Sequence, residues 1–216
     1  MTTYHWIALG LFASFALLDL VFHARTFPTV TLWRAKGIFF ALLYFTVATF
    51  APLLWDGLLG QYQLVDGSAL PLYLQVIAGF LVLQFCIYWW HRALHASDML
   101  WRFFHQTHHS AERVDIWGAF YFHPLDMLGW ALIGSVALVL GIGLSPDAVL
   151  IVVVLATFCS MFQHANLQTP HWLGFFVTRP ESHSVRCRCG RALLCEVVLS
   201  SLDLHTAVNF FKPQQK

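Results

Sequence analysis

The sequence predicts an all-α, polytopic integral membrane protein of about four to five transmembrane helices, and three observations carry that expectation. The 216-residue chain is 58% hydrophobic and only 11% charged, against roughly 25% charged residues in a soluble domain. Too few polar side chains remain to cover a water-facing surface, so lipid must cover part of it. Five apolar runs each approach the roughly 20 residues that a bilayer crossing needs. The loops between them alternate in basic charge, as successive crossings by one chain require.

The first run, 4–24, lacks a basic leader and a small-residue cleavage site, so it reads as a retained span. Asp19 within it would be costly in hydrocarbon, and is expected near the helix end beside His23 at i+4. Residues 25–36 hold Arg25, Arg34 and Lys36 and are expected in the cytoplasm. After the second run, 37–55, the loop 56–69 carries Asp56 and Asp66 and no base, and belongs outside. The third run, 70–90, opens into 91–127, where Arg92, Arg102 and Arg113 again indicate the cytoplasm. The last two runs, 128–144 and 147–164, form a helical hairpin turning at Ser145-Pro146-Asp147. Four arginines from Arg179 to Arg191 hold the following tail in the cytoplasm. Segments 91–127 and 165–216 are therefore expected on the same side of the membrane. Trp6, Trp33, Trp55, Trp89, Trp90 and Trp130 fall near predicted span ends and read as interfacial anchors.

Charge and cysteine usage exclude other classes. The net charge is +1 and no basic run occurs, which argues against a nucleic-acid partner. The five cysteines are odd in number; two lie in apolar runs and three crowd the tail, so no disulfide framework is indicated. Cys187 and Cys189 are too close for an ordinary zinc-binding pair.

Chemistry concentrates in HRALHASDMLWRFFHQTHH, residues 91–109, which holds five of the twelve histidines. If the third span continues as a helix, His91 and His95 share one face at i and i+4. His105, His108 and His109 fall within about a third of a helix circumference. Ser97-Asp98 between the two sets is suited to cap a new helix. Two such helices packed together would point five imidazoles into one pocket, and neutral imidazole is a ligand for iron, zinc and copper. Five ligands exceed what one tetrahedral zinc uses, so the spacing points to a dinuclear site. His123, before Pro124, and His164, at the end of the last span, lie on the same expected side. His5 and His23 read as interface anchors, His171 as an interfacial loop residue, and Glu112 and Asp115 as surface groups or partners of ligands.

The spacing HxxxH followed by HxxHH resembles the fatty acid hydroxylase/sterol desaturase superfamily of membrane di-iron oxygenases. The likeness extends through Leu100-Trp101-Arg102-Phe103-Phe104-His105, Phe122-His123-Pro124, the 162–167 stretch FQHANL, and the 179–185 stretch RPESHSV. It implies membrane anchor helices over 1–79, a hydroxylase-like domain over 80–185 and a divergent tail over 186–216. It also implies metal ligation by His91, His95, His105, His108, His109, His123, His164 and His183. The implied cofactor is a pair of iron ions, with zinc as a substitute. The implied partners are a lipid substrate, O2 and a separate electron donor of the cytochrome b5, ferredoxin or reductase type. The implied reaction is hydroxylation or desaturation of a fatty acyl or sterol-like lipid. A short chain without an ER-retrieval ending suits a bacterial inner membrane, or the ER membrane in a eukaryote.

The third box departs from the family's HxxHH pattern, because His183 is followed by Arg186 and Cys187 where histidines are expected. Arginine cannot ligate a metal, and a thiolate beside an oxygen-activating centre would itself be oxidised. From 186 onward the likeness stops, which suggests a reading-frame slip near that position. Two rival readings follow: a family member with an incomplete metal site, and a metal-transport or metal-sensing membrane protein. Transporters tend to place ionisable groups at mid-membrane, whereas these histidines gather at span ends.

Overall fold

The computed structural model describes the backbone of residues 3–189 and the side chains of residues 3–184. The expectations for the side chains of Arg186 and Cys187 and for the frame slip lie outside the described residues. Helix dominates, and no strand occurs among the described residues. Five helices are long and apolar enough to cross a membrane: Thr3–Val21, Trp33–Leu54, Leu72–Ala96, Pro124–Gly141 and Pro146–His164. The protein is thus an all-α polytopic membrane protein.

The second, third and fourth of these helices begin or end several residues away from the apolar runs, and local chemistry explains the last two. The third span continues to Ala96, because nothing in WHRALHA breaks a helix before Ser97, which turns to φ −116°, ψ 119°. Its Oγ then accepts the Leu100 N–H and starts the next helix. The fourth span starts at Pro124, whose fixed φ suits a first helical turn, and His123 Nδ1 caps it by accepting the Leu125 N–H. In the fifth span Ser145 and Pro146 play the same two parts.

The ends of the bundle are fastened differently. At one end, Gln75 of the third span donates to the Ser68 and Leu70 carbonyls and accepts from the Ser145 N–H and hydroxyl. Backbone bonds from Leu64 to Leu140 and from Gly67 to Ile142 close that end, where Gly143 turns the chain at φ 49°. At the other end, the segment 115–122 folds inward and buries Ile116, Ala119 and Phe120 among the first two spans. Gly37 of the second span lies so close to it that a β-carbon would sit 2.6 Å from the Trp117 carbonyl oxygen.

Asp19 is not paired with His23 as expected. It is buried, and its two oxygens accept the backbone N–H groups of Ile116 and Asn166. Asn166 in turn exchanges hydrogen bonds with Arg25. Segments 22–32, 97–123 and 165–184 thereby meet at one end of the bundle, as the loop charges anticipate. His5 also differs: it is buried against the Tyr4 and Phe50 rings. Among the tryptophans, Trp6 and Trp89 are exposed as anchors should be, but Trp33 and Trp55 donate internally to Asp115 and Ser135. Polar indole nitrogens favour such partners once the ring is packed inside.

Candidate metal centre

The histidines divide into two groups. His91, His95, His105 and His109 form one; His108, His164 and His183 form the other, with the potential ligand atoms of each group within 4.8 Å of one another. In the first, His91 Nε2 lies 3.0 Å from His105 Nε2 and 3.1 Å from His95 Nε2. In the second, His164 Nε2 lies 3.2 Å from His108 Nε2 and 3.1 Å from His183 Nε2. The second box is therefore shared between groups, where the sequence suggested five imidazoles in one pocket. Helical phase explains the division: at 100° per residue, His109 falls about 40° from His105, while His108 lies about 100° from His109. A π-helical turn, Trp101–His105, leads into this box, a feature frequent at functional sites.

Two second partners fix which nitrogen each ring presents. His105 Nδ1 lies 2.8 Å from Asp126 Oδ2, and both residues are almost wholly buried. With Nδ1 as the donor to this oxygen, Nε2 keeps its lone pair for the histidine group. His164 Nδ1 likewise donates to the Ser160 carbonyl at 2.7 Å, leaving its Nε2 facing His108 and His183. Fixed tautomers of this kind are the usual support of metal-ligating histidine. His105 and His108 are held well below the ordinary value of 6.5, first by burial and then by neighbouring imidazoles. Both are neutral at physiological pH, the form that ligates a metal.

These residues fit a metal pair. An ion about 2.0–2.1 Å from each nitrogen would hold neighbouring nitrogens about 3 Å apart, the spacing found in both groups. His123 is not brought into either group; it is exposed and occupied as the helix cap. His171 accepts from Arg179, and Glu112 is exposed. Asp115 is buried between Trp33 and Arg113, away from the surface. The residue that sequence reasoning overlooked is Asp126, a carboxylate two positions after Pro124 with no spacing rule linking it to His105.

A cavity of about 730 Å3 opens from the histidines into the bundle. His91, His105, His108 and His164 line one end, Leu83 and Val153 the middle, and its lining continues to Pro146 at the start of the fifth span. Its walls are mostly apolar, and neither lysine nor arginine lines it among the described residues.

The sequence pattern of the fatty acid hydroxylase family matches residues 76–186, just over half of the chain. Sphingolipid C4-hydroxylase sur2 of Schizosaccharomyces pombe is 30% identical over 97 residues, covering 45% of this chain and 33% of that protein. Ornithine lipid hydroxylase OlsE of Rhizobium tropici is 31% identical over 97 residues, 45% of this chain and 29% of its own length. Sphinganine C4-monooxygenase 2 of Arabidopsis thaliana is 32% identical over 103 residues, 48% of this chain and 40% of its own length. The matched part thus spans well under half of each of these relatives. No solved structure matches the chain.

Proposed function

The chain belongs to the fatty acid hydroxylase family, and from that premise we propose that it is a membrane oxidoreductase that hydroxylates a lipid at the expense of O2. The observation that carries this reading is the placement of two separate imidazole groups at the mouth of an apolar cavity within a membrane bundle. The relatives named above are lipid hydroxylases or monooxygenases by name, which favours hydroxylation over desaturation. Two irons would be held, one by His91, His95, His105 and His109 and the other by His108, His164 and His183. When bound, they would supply the oxidising chemistry for an unactivated C–H bond, which no acid or base side chain can provide.

The chain's own groups have three tasks in this scheme. Asp126 and the Ser160 carbonyl hold His105 and His164 in the ligating tautomer. The apolar walls receive a lipid chain and keep water from the reacting carbon. The five spans set the centre where a bundle end meets the aqueous phase, within reach of a separate electron donor. Loop charges favour the cytoplasm for that end, in a bacterial inner membrane or, in a eukaryote, the ER. Residues 1–79 would serve as anchors and 80–185 as the catalytic part.

The test is metal content and product on the purified chain. Two irons per chain and an O2-dependent hydroxylated lipid are expected, and His108→Ala should cut the iron to one per chain. Absence of iron with zinc flux in vesicles would replace the proposal with a transport role. The substituted third box, Arg186 and Cys187, supports a second reading in which one site is incomplete. One iron in the unaltered chain, without product, would establish that instead.

A further inference from the structure

The third span buries two glutamines, and only one is spoken for. Gln75 uses its carboxamide in four hydrogen bonds that tie the far end of the bundle. Gln84 is 6% exposed, lines the cavity, and makes no hydrogen bond among the described residues. Its amide atoms are not sealed but face the cavity. An amide left there with only apolar neighbours costs about 1–3 kcal/mol by mutational measures, so a membrane helix has reason to carry leucine unless something within the cavity answers the amide.

Its position is informative. Gln84 precedes His91 by seven residues, which is about two helical turns, so it faces the same way about 10 Å deeper along the helix. Thr157 precedes His164 by the same interval on the fifth span. Thr157 also lines the cavity, with its hydroxyl 3.2 Å from that of Tyr4. Each hydroxyl keeps acceptor capacity beyond that one bond. Two helices that both deliver a ligand histidine to the mouth therefore also deliver a neutral polar group at the same remove below it. No lysine or arginine lines the cavity to meet an anion, and a charge at this depth would be costly.

We propose that Gln84 is a specificity-determining residue: its carboxamide receives a neutral hydroxyl group on the lipid chain. That contact sets how far the substrate threads and which carbon reaches the histidines. The proposal rests on the reading of the cavity as the lipid site. A substrate with such a group would answer the amide, and a plain hydrocarbon chain would leave it unpaired.

The test uses the purified full chain in detergent, with methyl octadecanoate and its positional monohydroxy isomers as probes and binding as the readout. The unaltered protein should bind one isomer about tenfold more tightly than the plain ester, the size of one added hydrogen bond. Gln84→Met should bring that ratio to about one while metal content and melting temperature hold. Gln84→Asn, which withdraws the amide by one methylene, should move the preference to another isomer, and it decides the matter if the Met variant does not fold. Gln75→Met should lower the melting temperature and leave the ratio alone. An unchanged ratio in both Gln84 variants, or no preferred isomer in the unaltered protein, overturns the proposal while lipid oxidation stands. Failure of the unaltered protein to bind any of the esters removes the lipid site itself, and this proposal with it.

Discussion

Single side chains set which nitrogen each clustered histidine presents to its neighbours. Asp126 accepts from His105 at 2.8 Å in a fully buried setting, so Asp126→Leu should weaken the four-histidine site by about 10–100-fold. Asp126→Asn, with an oxygen acceptor still available, should recover part of that loss; chelator competition measures both, and equal affinity in all three proteins would refute the role. Acid acts on the same rings. His105 and His108 protonate below the ordinary 6.5, chiefly because they are buried. Between that value and their depressed ones, the unfolded chain takes up more protons than the folded one, so stability is complete above 6.5 and falls with further acidification. The metal-free chain should therefore melt progressively lower from pH 7 to 5, and a flat melting profile would count against neutral buried rings. At this scale the sequence displayed the clustering of the box histidines well, because they recur at helical intervals. Asp126 escaped notice because an acid in a first helical turn is ordinary, and its partner lies 21 residues earlier. His123 misled for a related reason: a histidine before a proline is as well suited to capping a helix as to binding a metal.

Elements were legible wherever apolar length alone defines them, and less so where a turn redirects them. All five runs became helices, and the expected continuation of the third span put His91 and His95 on one turn-spaced face. The division of the second box was implicit in its spacing, since 100° separates adjacent residues, yet one packed partner helix was assumed where two groups share the box. The inward fold of 115–122 was not foreseen, because no periodic pattern marks an irregular segment for burial. Its tightest point is Gly37 against Trp117. Gly37→Ala forces that contact to open and should cost about 1–3 kcal/mol, read as a lower melting temperature in detergent. An unchanged melting temperature would mean the two segments can separate freely.

Across the whole molecule, alternation of loop charge anticipated which segments meet, since charge reports the side on which a loop emerges. It could not reveal the fastening, which depends on backbone groups far apart in sequence. Asp19 takes one N–H from each of two segments that carry the site. Asp19→Ala would leave both donors buried and unpaired, a loss of about 2–4 kcal/mol, and the variant should release metal at temperatures where the unaltered protein keeps it. Retention of metal with normal stability would show the first span to be a passive anchor. The two histidine groups also differ in how much chain they need. One draws its four imidazoles from 91–109, while the other requires 108, 164 and 183 together. A chain made from its N-terminus onward completes the first set before the fifth span exists. The two groups thus become available one after the other, the first from a single short stretch and the second only once residue 183 has been made.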